Sequence, residues 1–412
     1  MGCRLHHPCK RVKISAIVIM QRSFSALLFS VIVAASMSTS WALVTIPLTK
    51  LERTGPYLQG SPHADRARAS LFKIASDPKT VPASNLAYVQ YTTSVGVGSP
   101  PTYYNLVIDT GSSNTFVGTG KKYVRTPTSV PTGQNINIVY GTGFINGIEY
   151  KDTVTLAPGF VITGQSIGDA LKFAKFDGVD GMIGIGPTDL TKGRLSPDTG
   201  LTPTLMDNAL KQGLIKNDIF GISFAPAKTY NDTNGAITYG GIDHALHTGE
   251  ITYAPITKTL PAANSWGINV TSLTYGTHTV IPQSTAGIVD TGTAMILLAK
   301  DFLARYLDAI PGSHLDIIDT GLVVIPSSSI AHMQPLNFTI NGRVFSMDTA
   351  AQLIPLNQNT ALGGKAGVQY GVISSLDGNS GEGLDFIIGQ KFLEKFYVVF
   401  DADVNRIGLA YT

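Results

Sequence analysis

Two short segments, far apart in the chain, each place an aspartate directly after a run of aliphatic residues. Asp109 stands in LVIDTGSSN at 106–114, and Asp290 stands in GIVDTGTAM at 287–295. One Asp-Thr-Gly is typical of a turn, but two copies behind apolar strands favour a shared site. Two carboxylates in contact cannot both ionise comfortably, so one keeps its proton at mildly acidic pH. Such a pair is an acid beside a base and can activate a water held between them.

The residues after each aspartate suit such a site. Gly111 and Gly292 let backbone N–H groups approach the carboxylate oxygens, because a Cβ atom would obstruct that approach. Ser112 and Thr293 carry hydroxyls that can donate hydrogen bonds to the outer carboxylate oxygens and fix the carboxylate planes. A half-buried pair of carboxylates without such donors would be costly.

Both aspartate segments belong to a longer internal repeat. Each is followed by an apolar pair and a glycine in an Asp/Gly-rich context, at 176–186 (FDGVDGMIGIG) and 383–392 (GLDFIIGQKF). A pattern that recurs twice, about 180 residues apart, predicts two related lobes. If the lobes face one another, Thr110 and Thr291 point away from the shared site and can bond across to the opposite lobe.

The rest of the main body is typical of short strands. From Tyr88 onward, alternating runs are separated by Gly, Pro, Asn and Asp turns, and residues 135–157 predict a hairpin with glycines at its bend. Helical signals are few, and they lie near 202–212, 299–309 and 390–396. The predicted fold class is therefore mainly β, with two pseudo-symmetric lobes and a cleft between them.

Charge is distributed unevenly along the chain. The 412 residues carry a formal net charge of +2, but residues 1–42 contain five basic and no acidic residues, and residues 43–85 contain six basic and three acidic ones. Residues 86–412 contain 19 basic and 25 acidic residues. This mildly acidic main body argues against nucleic acid as a partner.

The N-terminal region has the layout of a targeting segment. From Met20, MQRSFSALLFSVIVAASMSTSWA combines a basic residue, an apolar stretch and a small-residue end, which predicts a signal peptide cleaved after Ala42. The apolar run at 14–20 leaves a signal-anchor helix as the alternative. No stable membrane anchor is expected, and the expected location is extracellular, with the vacuole as the alternative.

Four regions follow from these boundaries. We predict a signal peptide with an N-terminal extension at 1–42, a propeptide at 43–80, an N-terminal lobe at 81–248 and a C-terminal lobe at 249–412. A flexible linker is the alternative for the second region, since its periodicity is weak. Its positive charge beside an acidic body predicts docking near neutral pH that loosens in acid, where carboxylates protonate.

These motifs together resemble the pepsin-like aspartic proteases, and among them most closely the basidiomycete polyporopepsin type. The resemblance runs from about Val81 to Ala410 and includes DTGSSN, YGTG, FDGVDGMIGIG, AGIVDTGTA and the closing SGEGLDFIIGQKFLEKFYVVFDADVNRIGLA. It implies a bilobed pepsin-like fold, endopeptidase activity on proteins at acidic pH, and Asp109 and Asp290 as the catalytic pair. It also implies a zymogen inhibited by its own propeptide, a monomer, and chemistry that needs no cofactor.

By the same resemblance, Tyr140 corresponds to the flap tyrosine, followed by Gly141 and Thr142. A glycine-rich hairpin with one aromatic residue near its tip can close over an extended peptide and exclude water. Apolar residues expected near the cleft, which would favour apolar substrate side chains, are Phe173, Phe176, Ile288 and Ile296.

One position departs from the family pattern. Pepsin-like enzymes usually have Trp seven residues after the first catalytic aspartate, and its indole N–H bonds the flap tyrosine. Here that position is Phe116, which carries no donor. Tyr140 must therefore find another partner, either water or Ser112, or the flap is looser than usual.

Other candidate sites are weaker. The cluster Asp243, His244 and His247 lacks a HExxH-type partner and is expected to be a solvated loop. CRLHHPC at 3–9 lacks the second ligand pair of a zinc finger, so no metal is expected. The N-x-S/T sequences that secretion would allow to be glycosylated begin at Asn231, Asn269 and Asn337.

Two alternatives to an enzyme are compatible with parts of the sequence. The first is a catalytically weak binding or inhibitor protein on the same fold. Such relatives usually show damage in one Asp-Thr-Gly or in the flap, whereas both triplets and Tyr140 are intact here. The second, a secreted structural or adhesion protein, would explain the composition but not the repeated triplets.

Overall fold

β-Strands dominate the described parts of the chain, as the alternating apolar pattern predicted. The structure is a computed structural model that describes residues 43–51, 61–74, 90–141, 143–225, 233–359 and 362–412. The predicted signal peptide and CRLHHPC lie outside these ranges. No helix within these ranges is long and apolar enough to cross a membrane.

The strands are numbered in chain order. They are β1 (Val44–Leu51), β2 (Gln90–Val97), β3 (Thr102–Asp109), β4 (Phe116–Val117), β5 (Val130–Val139), β6 (Phe144–Ala157), β7 (Phe160–Ala174), β8 (Gly181–Gly184), β9 (Leu195–Ser196), β10 (Ile219–Ser223), β11 (Thr233–Tyr239), β12 (Thr248–Pro255), β13 (Gly267–Val270), β14 (Ser272–Tyr275), β15 (His278–Ile281), β16 (Thr285–Val289), β17 (Ile296–Leu298), β18 (His314–Leu315), β19 (Val323–Val324), β20 (Leu336–Ile340), β21 (Arg343–Met347), β22 (Tyr370–Gly371), β23 (Ile373–Ser375), β24 (Phe386–Ile388), β25 (Phe396–Asp401) and β26 (Arg406–Tyr411).

The helices are short except for the first. They are α1 (Ser61–Ile74), α2 (Leu205–Lys211), α3 (Lys300–Asp308), α4 (Ser327–Ile330) and α5 (Gln390–Leu393), with single 3₁₀ turns at Thr188–Thr191, Ala262–Asn264, Ala350–Gln352 and Leu356–Gln358. Three of these, α2, α3 and α5, fall where helical signals were predicted. Thr204 caps α2 with a reciprocal capping box to Asp207, which explains its start.

One large sheet contains strands from both ends of the chain. Its order is β12-β26-β25-β10-β11-β1-β2-β3-β8-β4-β7-β6-β5-β9. A second sheet has the order β13-β16-β24-β17-β23, and two smaller sheets have the orders β15-β14-β20-β21 and β18-β19-β22. Strand β1, from the predicted propeptide, lies inside the large sheet between β11 and β2, antiparallel to both.

The predicted repeat corresponds to a repeated strand arrangement. In the first copy, β3 runs parallel to β8, and β4 runs antiparallel to β8. In the second copy, β16 runs parallel to β24, and β17 runs antiparallel to β24. The strand that ends at Asp109 therefore pairs with β8, and the strand that leads to Asp290 pairs with β24. In each copy, the partner strand comes from the second motif of the same repeat.

These parallel strands are buried on both faces. Leu106, Val107 and Ile108 of β3 are at most 1 % exposed, and Ile387 and Ile388 of β24 are fully buried. Continuous aliphatic runs are typical of strands covered on both sides, where no face is left for polar residues. Such strands give the residues at their ends a rigid support.

The described parts of the region from 43 to 80 have regular secondary structure, which its weak periodicity did not suggest. Its described parts are strand β1 and helix α1, so the flexible-linker alternative is wrong for them. In β1, Ile46 and Leu48 are buried. The polarity of α1 concealed it, because Asp65, Arg66 and Arg68 lie on its buried face rather than in solvent.

Candidate active site

The first aspartate lies at the end of β3. Asp109 is fully buried and pairs across the sheet with Gly184 of β8. The backbone N–H of Gly111 donates to its Oδ1 at 3.0 Å. The hydroxyl of Ser112 donates to its Oδ2 at 2.5 Å. Both carboxylate oxygens of Asp109 therefore have a fixed donor from the same turn.

The second aspartate repeats this arrangement after β16. Asp290 is also fully buried, and its backbone N–H donates to Ile388 of β24 at 3.0 Å. The backbone N–H of Gly292 donates to its Oδ1 at 3.0 Å, and Thr293 Oγ1 donates to its Oδ2 at 2.5 Å. The two carboxylates thus have equivalent sets of donors.

The threonines between these residues join the two turns. The backbone N–H of Thr110 donates to Thr291 Oγ1 at 3.0 Å, and the backbone N–H of Thr291 donates to Thr110 Oγ1 at the same distance. Thr291 Oγ1 also donates to the carbonyl of Ile108 at 3.0 Å. Since all these groups are buried, the reciprocal bonds fix the two aspartate turns against one another.

The two turns approach so closely that their glycines accept no side chain. A Cβ atom on Gly111 would lie 2.6 Å from Asp290 Oδ1, and one on Gly292 would come closer still to Asp109 Oδ1. Each glycine therefore faces the aspartate of the other turn. The absence of a side chain at these positions allows the two carboxylates to share one site.

A guanidinium from helix α1 lies between the aspartates. Arg68 Nη2 donates to Asp109 Oδ1 at 2.7 Å and to Asp290 Oδ1 at 2.5 Å, and its Nε donates to Asp290 Oδ2. All three side chains are fully buried. Arg68 was not among the predicted site residues, because its only signal in the sequence was its position in a basic segment ahead of an acidic body.

These charges shift one another's pKa values. Burial alone would lower the pKa of Arg68, but the charges of Asp109 and Asp290 raise it above its ordinary value. Burial raises the pKa of Asp290, the charge of Asp109 raises it further, and Arg68 opposes both effects. A proton on the pair is therefore favoured at higher pH than for an isolated aspartate once the arginine is absent.

Two further side chains of α1 bind residues in the C-terminal half of the chain. Arg66 pairs with Asp377 at 3.2 Å and donates to the carbonyl of Gly321 at 3.3 Å. Near the end of the helix, Lys73 pairs with Glu382 at 2.7 Å. The helix is therefore fastened to the C-terminal half of the chain on both sides of Arg68.

The predicted flap residue, Tyr140, lies in an aromatic cluster. Its ring centroid is 6.0 Å from that of Phe116 and 5.2 Å from that of Phe176, and the rings of Phe116 and Phe176 are also 5.2 Å apart. Leu71 of α1 packs against the same group of buried residues. Helix α1 thus packs against the cluster that contains Tyr140 and also contacts both aspartates.

The other residues predicted near the cleft differ in exposure. Gly141 is half-buried, and Thr142 lies outside the described residues. Phe173 is 39 % exposed, whereas Ile288 and Ile296 are buried in the core on β16 and β17. Exposure leaves Phe173 available to a ligand, while the two isoleucines support the aspartate turn from below.

Ser112 is not the partner that Tyr140 was expected to find. Its hydroxyl donates to Asp109 and contacts Met182 Sδ at 3.3 Å. Among the described residues, no group forms a hydrogen bond with the buried hydroxyl of Tyr140. The donor that Phe116 lacks is therefore not supplied by Ser112.

The cluster of Asp243, His244 and His247 does not belong to the aspartate site. His244 Nδ1 and His247 Nε2 are 3.0 Å apart in a partly exposed loop, where Thr45 donates to Asp243 at 3.1 Å. No group of three His, Cys, Asp or Glu side chains in the described ranges could hold a metal ion.

The predicted glycosylation sites are placed differently. Asn269 is exposed on β13, Asn337 is half-buried on β20, and Asn231 lies outside the described residues. Asn269 is therefore the more accessible of the two described sites.

The fold agrees with the comparisons to known proteins. A family profile described as "Eukaryotic aspartyl protease" matches residues 90–412, and the chain belongs to this family. It is 48 % identical over 334 residues to polyporopepsin from Irpex lacteus, which covers 81 % of this chain and 97 % of that protein. It is 29 % identical over 358 residues to pepsin A from Suncus murinus, covering 82 % and 85 %.

A solved structure supports the same family assignment. The crystal structure of aspartic proteinase from Irpex lacteus matches with a TM-score of 0.77 at 43 % identity, covering 90 % of this chain and 98 % of that one. The predicted pepsin-like, mainly β fold is confirmed. The predicted enzyme class, an aspartic-type endopeptidase, is confirmed as well.

Proposed function

We propose that the chain is the precursor of a secreted endopeptidase that hydrolyses proteins at acidic pH with a water held by Asp109 and Asp290. The observation that carries this proposal is the position of Arg68 Nη2, which donates to Oδ1 of both aspartates. One small polar group can therefore contact both carboxylates at once. In the mature enzyme, a water takes the place of that nitrogen.

The reaction follows from this placement. The ionised member of the pair accepts a proton from the water, whose oxygen forms a bond to the substrate carbonyl carbon. The protonated member donates to the carbonyl oxygen, which gives a gem-diol without any covalent link to the enzyme. When the C–N bond breaks, the amine nitrogen takes up a proton and the carbonyl forms again. The resting proton belongs to the pair rather than to one aspartate.

Removing either carboxylate should abolish this chemistry. We expect Asp109→Asn and Asp290→Asn each to lower kcat by about 10²–10⁴-fold or more, the range for lost general acid–base catalysis. The measurement is cleavage of a denatured protein between pH 3 and pH 5. Asp243→Asn, in a partly exposed loop, is the matched control and should retain full activity. Full activity of Asp109→Asn would contradict the proposal.

The same precursor is proposed to inhibit itself through residues 43–80. Arg68 neutralises both aspartates and occupies the position of the water. Acid weakens this arrangement, because a proton on the aspartate pair removes negative charge that faces Arg68. Arg66 and Lys73 add ion pairs of their own. The support is that every one of these ion pairs joins α1 to the rest of the chain.

Arg68→Met tests the inhibition. Loss of the buried cation leaves two carboxylates facing each other and should weaken docking of α1 by about 3–5 kcal/mol. The variant should cleave a fluorogenic peptide at pH 5.5 without the lag expected of the wild-type precursor. Lys73→Met, which removes a partly exposed ion pair, should change the lag only slightly. An Arg68→Met precursor with the wild-type lag would exclude this role.

A further inference from the structure

The flap residue has an unsatisfied polar group. Tyr140 is 1 % exposed, and its hydroxyl has no hydrogen-bond partner among the described residues. The neighbouring rings of Phe116 and Phe176 carry only carbon. A buried hydroxyl in apolar surroundings is costly unless it finds a donor or an acceptor. A working flap therefore needs a polar partner from another element.

Arg194 is held beside the flap strand. It follows the 3₁₀ turn Thr188–Thr191 and precedes β9, which pairs with β5. Its carbonyl accepts from the backbone N–H of Asn137 at 2.9 Å, three residues before Tyr140. Its side chain is largely buried, and Nε donates to the carbonyl of Leu190 at 3.4 Å. The guanidinium is thus kept near β5 rather than in solvent.

The electrostatic interaction between Arg194 and Tyr140 agrees with this placement. Burial raises the pKa of Tyr140, the charge of Asp109 adds to that effect, and Arg194 and Arg68 oppose it. Burial lowers the pKa of Arg194 to about 10, opposed by Tyr140. Arg68 leaves with the propeptide. Of the cations that act on the Tyr140 hydroxyl in the described structure, Arg194 is the one that stays.

We propose that Arg194 is a positioning residue whose guanidinium donates a hydrogen bond to the Tyr140 hydroxyl when the β5–β6 hairpin closes over a peptide substrate. The inference rests on the proposed function, because it assigns Tyr140 to a flap that acts during peptide hydrolysis. In the precursor, Leu71 packs against the cluster that contains Tyr140. Departure of Leu71 frees the ring to move toward the arginine.

A double-mutant cycle on the self-processed enzyme tests this contact. Arg194→Met should lower kcat/KM about tenfold, as expected for a lost hydrogen bond to a charged donor. In the Tyr140→Phe background, which has no hydroxyl, the same change should cost less than twofold. Arg194→Lys should recover part of the loss, because it keeps a charged donor. The loss should fall on kcat more than on KM if the contact forms as the flap closes.

Controls separate positioning from folding. Arg125→Met removes another arginine that lies against a tyrosine, with its guanidinium 4.8 Å from the ring of Tyr150, and should leave kcat/KM unchanged. Thermal unfolding of each variant reports its stability. If Arg194→Met does not fold, the cycle of Arg194→Lys with Tyr140→Phe replaces it, with a smaller coupling expected.

The possible results distinguish this inference from the proposed function. Equal losses from Arg194→Met with and without the Tyr140 hydroxyl would overturn the contact. If the wild type is active in acid, Asp109→Asn is inactive and the losses are equal, only the role of Arg194 fails. If Asp109→Asn retains full activity, the proposed function fails first.

Discussion

Asp65 is a buried carboxylate that should work against the proposed release of residues 43–80 in acid. It accepts from the backbone N–H groups of Ala294 at 3.4 Å and Met295 at 3.0 Å. Burial raises its pKa to about 7, although those N–H groups and the charge of Arg68 oppose the shift, and Asp290 adds to it. Protonated Asp65 is therefore the form that docking favours.

The sign of the resulting pH dependence is opposite to that of the ion pairs. Because the pKa is higher in the docked state, the stabilisation from Asp65 is fully present below about pH 4, the ordinary range of aspartate. It is lost as the pH rises through 7. The ion pairs of Arg68 have the opposite dependence, because its charge lowers the pKa of Asp290 in the docked state. Release in acid then requires that loss of the ion pairs outweighs the gain at Asp65.

Asp65→Asn separates these two contributions. The amide keeps an acceptor oxygen but cannot ionise, so the variant precursor should be more stable than wild type at neutral pH. The difference in unfolding free energy between Asp65→Asn and wild type should grow by about 1.4 kcal/mol between pH 6 and pH 8. This is the free energy that corresponds to one pKa unit. Urea unfolding at the two pH values measures it. Ser70→Ala, at an exposed position of the same helix, should show no such change, and parallel pH profiles for wild type and Asp65→Asn would rule out this account.

At the scale of elements, β1 is an integral strand although it belongs to the predicted propeptide. It pairs with β11 over Val44–Thr49 and with β2 over Thr49–Leu51. Leu48 is fully buried in the main core, whereas the neighbouring Pro47 is exposed. The precursor therefore draws stability from a segment that the mature enzyme is proposed to lose.

Leu48→Ala should destabilise the precursor by about 2–5 kcal/mol, the range for truncating a buried leucine. Thermal unfolding at pH 7.5, where self-processing is slow, measures the change. Pro47→Ala should be close to neutral. Enzyme already processed from the Leu48→Ala precursor should unfold like the wild type, since it no longer contains the residue. Equal melting temperatures of the Leu48→Ala and wild-type precursors would show that β1 contributes little.

The elements differed in how well sequence predicted them. The strands around Asp109 and the three short helices were visible because aliphatic runs and capping residues are local signals. Helix α1 was not visible, because its buried face contains charged residues whose partners lie far along the chain, 41 residues from Arg68 at Asp109 and 222 at Asp290. Hydropathy treats such residues as exposed, so only tertiary contacts reveal the helix.

At the scale of the whole molecule, the repeat predicted the two lobes and hence the possibility that Asp109 and Asp290 face each other. It could not predict what lies between them. The contact of Arg68 depends on the path of the chain from 43 to 74, and no local pattern specifies that path. Likewise, the sequence showed that Phe116 lacks a donor, but only the packing of β9 against β5 brings Arg194 near Tyr140.

The place of β1 in the large sheet has a consequence for folding. The proposed excision of residues 43–51 would remove the strand between β2 and β11 and leave the facing edges of these two strands unpaired. Any segment that replaced β1 there would pair only after the sheet has assembled. A mature chain unfolded in denaturant lacks the strand that templated this assembly. The lifetime of the folded mature enzyme then depends on the height of its unfolding barrier rather than on a reversible folding equilibrium.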